Sequence, residues 1–511
     1  MYVALSWTVQ RESRRRMHQP YLWRRGLLKP KHKKGDPLTA DAWRMLYIGD
    51  LNGLTYEREW WLRVVGRIQG SLHPAQTGYQ YACEDQFLIL LAMAEHRKSL
   101  SLPLVVVLAD LVKAFPRTWR DYVLVSAMAS LTAEQFLCLD DMLSQNSVFI
   151  TESGVSELQM LRGLAEGGYL GALLYPLLPD SLVRKLESLQ RGPAMLPKLA
   201  CSDPMHSAMS NESATLMYNY DRAADWRIPM LLHADDQAIP ESSLQQMQMS
   251  LSLAEHWSQE TEQEYHVTDD KTVVLFLTGH WPPDALARHP LRMNGQPLSE
   301  AAKHKWLGAV WSRGLLFRDH LNQRVMAVRA AVQSTLVLAR SGGYPLHILA
   351  EMAEAKCKGV LLVGFVLLIM VPDADEVINK LQAEIAKALM RSHPYTQREL
   401  VLGELEWTPW WLQVLKQCLR KEASIMMGLG SPWVVQLFSI PEGMLAGRQW
   451  RQVLRERAGH YDLPTFGMFL QGSEPTIEAW REYQSVLNAC VDAVWSRQWN
   501  KQCAEVLQPF P

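Results

Sequence analysis

Two short apolar runs that end on aspartate constrain this chain more than any other feature. LPLVVVLAD at 102–110 is β-branched, too brief for a typical helix and bounded by Pro103 and Asp110, so it predicts a central strand. IPMLLHADDQAI at 228–239 predicts a strand, a tight turn and a second strand, with Asp235 and Asp236 at the turn. Adjacent carboxylates repel, and charged side chains are rarely buried without compensation. The pair therefore either caps a surface turn or holds something cationic. If these strands neighbour one another in one sheet, Asp110 and Asp235 converge at strand ends, where open sheets commonly place their chemistry. The bland reading stands beside this one: Asp-Asp is ordinary turn chemistry, and Asp110 suffices to end a strand or cap a helix.

The surrounding pattern predicts helices over 40–69, 84–99, 121–145 and 242–262, and strands over 147–152 and 271–279. GLAEGGYLGALLYPLLPDSLVRKLESL at 163–189 predicts a Gly-rich turn and a long helix interrupted near Pro176 and Pro179. This alternation implies a sheet covered by helices, an α+β or α/β layer. Beyond about residue 300 strand signals nearly vanish, and 316–340, 375–390, 405–425 and 474–494 all read as helix. The apolar run GVLLVGFVLLIMV at 359–371 is too short to span a membrane and stops at Pro372, so it predicts a buried core helix.

A 511-residue chain that is 48% hydrophobic and 21% charged reads as globular throughout. Its formal net charge of −1 conceals a basic N-terminal part: RRR at 14–16, RR at 24–25 and KPKHKK at 29–34 suit phosphate neutralisation or a nuclear address, or else a solvated tail. Seven cysteines, widely spaced and without a CxxC, argue against a disulfide framework or a zinc knuckle and suit a reducing compartment. There is no GxxxxGK[ST], HExxH or GxSxG.

The order of the motifs resembles the reverse-transcriptase domain of non-LTR retrotransposons over residues 20–320. DLVKAF at 110–115 is similar to the first palm motif, GLAEGGYLGALLYPLL at 163–178 to the second, and HADD at 233–236 to the aromatic-Ala-Asp-Asp turn of the third. LLKPKHKKGDPLTADAWRML at 27–46 resembles the fingers segment, and HPAQTGYQ at 73–80 the Gln-x-Gly-aromatic segment ahead of the palm. KTVVLF at 271–276 carries the later palm lysine, and KHKWLG at 303–308 resembles the primer-grip turn.

The resemblance implies an α+β right-hand polymerase with an antiparallel palm sheet. Its parts would be a basic segment 1–26, fingers and palm 27–295, primer grip and thumb 296–350, and a helical C-terminal region 351–511. It implies RNA-directed DNA synthesis, with Asp110, Asp235 and Asp236 holding paired Mg²⁺ or Mn²⁺ ions while a primer 3′-oxygen attacks a deoxynucleoside triphosphate. Lys29, Arg44 and Lys271 would meet phosphate or template, and Phe115 would exclude a ribose 2′-hydroxyl. Glu166, Gly167 and Gly168 would lie against template and nucleotide. Trp306, Leu307 and Gly308 would form the primer grip. The partners implied are an RNA template and a DNA primer, without a membrane, in the nucleus or a cytoplasmic ribonucleoprotein. No endonuclease motif is recognisable, which implies nicking by another chain and a truncated element product.

Four residues depart from the family pattern. Pro116 stands where Asp is frequent, Glu166 replaces a Gln and with it an amide donor, His233 replaces Tyr or Phe, and Trp306 replaces Tyr. They define the alternative: a nucleic-acid-binding protein derived from such an element, with catalysis impaired or lost.

Overall fold

The computed structural model describes residues 20, 23, 26–33, 36–39, 42–144, 146–151, 154–159, 162–165, 168–193, 195, 226–267, 271–439 and 449–506. The basic segment 1–26 lies almost wholly outside them, as do Glu166 and Gly167. The architecture is mixed α+β, with several small sheets and many helices.

The chain divides into two compact units. Unit 1 comprises 1–82, 105–274 and 283–300; unit 2 comprises 83–104, 275–282 and 301–511.

Unit 1 opens on a ribbon. Strand β1 (Gly26–His32) pairs antiparallel with β2 (Trp43–Gly49), with Lys31 opposite Arg44. The helix expected over 40–69 is thus a strand followed by the helix Leu51–Ser71, separated at Asp50, whose carboxylate caps the helix by accepting from the Asn52 and Gly53 amides. Strand β3 (Leu104–Ala109) is buried along its whole length, as its β-branched run requires. Behind it the helix expected over 121–145 is two helices, Arg120–Met128 and Ala133–Leu143. Thr132 starts the second with a full capping box to Gln135.

Strands β4 (Asn146–Thr151) and β5 (Gly154–Gln159) form a hairpin, and β4 runs parallel to β1, giving a four-stranded sheet in the order β2-β1-β4-β5. The segment 163–189 is broken at Pro176 into the helices Tyr169–Leu174 and Leu177–Ser188, where the sequence placed its interruption.

Strands β6 (Leu231–His233) and β7 (Asp236–Glu241) form the second hairpin, followed by the helix Leu244–Thr261. β7 runs antiparallel to β3, with Ala109 opposite Gln237. Strand β8 (Val273–Thr278) lies on the other side of β3. After the two-stranded β9 (Arg292–Met293) and β10 (Gln296–Pro297), strand β11 (Ser299–Glu300) adds to β8 in parallel. The order is β11-β8-β3-β7-β6. The sheet is therefore mixed, not the purely antiparallel one expected, because β11 joins in the opposite sense.

Unit 2 contains the helix Cys83–Ser99, a hairpin of β12 (Lys303–Trp306) and β13 (Ala309–Ser312), and a long run of helices from Arg318. The β12–β13 hairpin lies past residue 300, where the sequence's strand signals nearly vanish, and beyond Ser312 the described elements are helices. The run 359–371 is buried but is not one helix: the helix Leu346–Leu361 stops and a short helix Phe365–Leu368 follows. Gly364 between them has φ +67, and a Cβ there would approach His320 Nε2 to 2.9 Å. No described helix is long and apolar enough to cross a membrane.

Candidate functional site

Asp110 follows the last residue of β3, and Asp236 begins β7. Extending the register of Ala109 with Gln237 by one residue sets Asp110 across from Asp236 and beside Asp235. Two carboxylates 125 positions apart in the chain thereby meet at one end of one sheet.

The turn that carries Asp235 is held from outside the hairpin. Ala234 has φ +59, a conformation disfavoured for a residue with a Cβ. Its amide donates to Gln76 Oε1 at 3.0 Å, and Gln76 Nε2 donates to its carbonyl at 3.4 Å, so one buried carboxamide clamps the strained peptide on both sides. Around this clamp, Leu232 exchanges backbone bonds with Ala75 and Thr77, and the Thr77 hydroxyl lies 3.0 Å from His233 Nδ1. Gly78 sits so close that a Cβ there would fall 2.2 Å from the Ala234 nitrogen. The segment 73–80 thus braces the aspartate turn. His233 serves the same bracing, through its ring nitrogen.

The three carboxylates act on one another electrostatically. Burial, then Asp235, then Asp110 push the Asp236 carboxyl up to about 7, against the opposing pull of Lys271. Asp235 is also raised, by burial and by Asp110, with Arg44 and Lys33 acting to lower it. Asp110 itself bonds Lys271 Nζ through Oδ2 at 3.0 Å. Among the described residues, however, no group of three or more His, Cys, Asp or Glu side chains is placed to hold a metal ion. The carboxylates share a field without forming a finished coordination sphere, and Lys271 occupies the Asp110 end.

Arg44 and Lys33 belong to the β1–β2 ribbon. Lys29, Lys31 and Lys33 alternate along one strand edge and so share a face, and Arg44, directly opposite Lys31, shares it too. All four are exposed. Like charges set directly across a ladder repel one another. Arg44 was expected at the site and Lys29 lies on the same face. Lys31 and Lys33 were not singled out, although the K-x-K-x-K spacing of 29–33 contains the signal.

Phe115 lies on the short helix Ala114–Arg117 and stacks on Tyr175, ring centroids 4.5 Å apart. The Tyr175 hydroxyl is fully buried without a partner, and burial and the fields of Asp235 and Asp236 push it well above the usual phenol range. Phe115 therefore borders the carboxylate site through Tyr175. Gly163 and Leu164 donate backbone bonds to the carbonyls of Thr118 and Phe115. Gly163 has φ +87, and a Cβ there would meet the Pro116 carbonyl oxygen at 2.7 Å, so close backbone approach dictates glycine. Gly168 begins the helix that follows.

In unit 2, Leu307 and Gly308 form the two-residue β12–β13 turn with φ +49 and +85, the pattern of a type I′ hairpin. Trp306 packs its ring against Phe87 and Trp311 and is buried, so this side chain serves the core of unit 2.

No protein-family model matches the chain, and no curated protein matches its sequence. Among solved structures, apo telomerase from Candida tropicalis truncated from its C-terminal domain is similar at 11% identity and a TM-score of 0.36, covering 57% of this chain and 53% of that one. Telomerase from Candida albicans with the TWJ fragment of telomeric RNA gives 10% and 0.37, covering 76% and 65%. Apo telomerase from Candida tropicalis gives 10% and 0.38, covering 83% and 70%. The chain spans about half to two thirds of the first two. Values this low fix neither a family nor an activity.

Proposed function

We propose that this chain is a nucleic-acid-binding protein built on a reverse-transcriptase-type fingers and palm, with turnover impaired. The observation that supports it best is the pairing of two opposed charge sets in unit 1: Asp110, Asp235 and Asp236 at the sheet end, and the cationic ribbon face whose Arg44 and Lys33 act on Asp235. An acidic centre bordered by exposed lysine and arginine suits a phosphate chain carrying a divalent ion.

Asp110, Asp235 and Asp236 are the residues that would hold Mg²⁺ or Mn²⁺, and the repulsion that raises Asp236 is what such an ion would offset. When bound, the ion supplies activation of a primer hydroxyl and neutralisation of phosphate charge. The chain's own residues do the rest. Lys31, Lys33 and Arg44 bind phosphate, Phe115 on Tyr175 borders the sugar, and Gln76 holds the aspartate turn in place.

Impairment follows from the same residues. The Lys271 ammonium holds the Asp110 Oδ2 that a cation would need. Pro116, Glu166 and His233 add the departures from the family pattern.

The test pairs RNA binding with extension of a primed RNA template in Mg²⁺ or Mn²⁺. The expected result is salt-sensitive RNA binding without efficient nucleotide incorporation. The second reading, an RNA-directed DNA polymerase, is favoured by the retention of all three carboxylates. Robust extension that Asp110→Asn abolishes would establish it in place of the first. Failure to bind RNA at low salt would refute both.

A further inference from the structure

The segment 73–80 that clamps the aspartate turn is itself anchored from the helix Leu177–Ser188. Asp180, Arg184 and Glu187 stand there at i, i+4 and i+7 and so share one face. A charged stripe on a helix is ordinarily solvated. Asp180 is instead buried, and a buried carboxylate is costly unless its oxygens are engaged. Oδ1 accepts from the His73 amide at 2.5 Å, and Oδ2 accepts from Arg184 Nε at 2.6 Å. Arg184 donates again, to the Ser71 carbonyl at 2.5 Å. Glu187 Oε2 lies 3.1 Å from His73 Nε2, while His73 Nδ1 accepts from the Ala75 amide at 3.1 Å. The three side chains of one helix face thus grip residues 71–73, the link into the brace. An acid in a first turn also suits the helix dipole. That role needs no partner outside the helix, whereas Asp180 commits one oxygen to a residue 107 positions away.

We propose that Asp180 is a positioning residue for the cation site: through the His73 amide it sets where the brace stands, and with it the turn that carries Asp235 and Asp236. The link is short. The Leu232 amide donates to the Ala75 carbonyl at 3.0 Å, and the Thr77 amide donates to the Leu232 carbonyl at 2.9 Å. Gln76, between them, closes on Ala234, the residue before Asp235. Ala75, Gln76 and Thr77 are all buried, and close-packed interiors transmit a displacement rather than absorb it. Releasing His73 therefore moves the strand that ends at the turn.

The anchoring helix is fixed in turn, since Ser181 Oγ accepts from Trp257 Nε1 at 2.9 Å on the helix that follows β7. The inference rests on the proposed function, because a residue behind the ligands affects binding only if Asp110, Asp235 and Asp236 hold an ion.

The experiment follows two readouts on the full chain, amide hydrogen exchange at Leu232 and Ala234 and Mn²⁺ affinity by electron paramagnetic resonance, each well below the melting temperature of the variant. Asp180→Ala is expected to speed exchange at both amides and to weaken Mn²⁺ roughly tenfold, as loss of a residue that orients metal ligands does. Asp180→Asn removes the charge but keeps an acceptor for the His73 amide, and should hold both readouts near the parent. Ser250→Ala removes a buried hydroxyl that donates to Glu241 at 2.5 Å, so it should lower the melting temperature and leave both readouts unmoved. Should Asp180→Ala not fold, Arg184→Met replaces it: that side chain is half-exposed, and freeing Asp180 Oδ2 should speed the same exchange and weaken Mn²⁺ about threefold. Parent-like exchange and Mn²⁺ affinity in the variant that folds overturns the proposal. So does an Asp180→Asn variant as impaired as Asp180→Ala, or equal impairment by Ser250→Ala. A parent that binds no Mn²⁺ refutes the cation site, and this role with it, even where exchange shows the anchor intact.

Discussion

Replacing Asp236 with Asn should make the protein more stable at pH 8 and leave it unchanged near pH 4. The Asp236 carboxyl is raised from 3.8 to about 7, chiefly by burial and then by Asp235 and Asp110. An acid whose pKa is higher folded than unfolded holds its proton in the native state while the unfolded chain has released it. Stability from this group is therefore present below about pH 4 and is lost as pH rises toward 7. At roughly 1.4 kcal/mol per pH unit the loss reaches about 4 kcal/mol as a ceiling, and partial solvent access brings it nearer about 2 kcal/mol. Asn preserves the shape and cannot ionise, so the variant keeps what the parent loses. Unfolding midpoints of the two proteins, measured at pH 4.5, 6 and 8, should diverge with pH, with Asp236→Asn higher by several degrees at pH 8. A constant difference across that range, or a variant less stable at pH 8, would refute the picture of three carboxylates in one field.

Other expectations follow from the bracing of the turn and from the ribbon. Ala234→Gly should stabilise the protein by about 0.5–1 kcal/mol, because glycine relieves φ +59 at the aspartate turn; a loss of stability in thermal melts would contradict this. Gly78→Ala should cost about 2 kcal/mol or more, since its Cβ would fall 2.2 Å from a backbone nitrogen that is itself clamped. Melts of this variant equal to the parent would show that segment 73–80 does not brace the hairpin. Lys31→Glu with Arg44→Glu should weaken RNA binding across sequences and flatten its salt dependence, read by anisotropy at several salt concentrations. An unaltered salt slope would take the ribbon face out of the interface.

The acidic centre was legible because its signals are local. Burial of β3 and the β6–β7 hairpin demanded apolar runs, and both runs stop on aspartate. The ribbon was not legible as a pair of strands: Trp43 to Gly49 mixes apolar and basic residues at spacings a helix also permits, and what makes it a strand is pairing with β1. The break within 121–145 was readable, since TAEQ at 132–135 is a capping-box pattern. Gln76 stood in the recognised 73–80 segment, but its clamp on Ala234 had no local signal, because it closes on a turn 158 positions away.

Mn²⁺ binding followed by electron paramagnetic resonance tests the central claim most directly. The wild-type chain is expected to bind Mn²⁺ at pH 8, more weakly below pH 7 as Asp236 takes up its proton, and at least about tenfold more weakly in Asp235→Asn, as loss of a charged ligand implies. Equal binding by a chain in which Asp110, Asp235 and Asp236 are all replaced by Asn, or no binding by the wild type at pH 8, would contradict it.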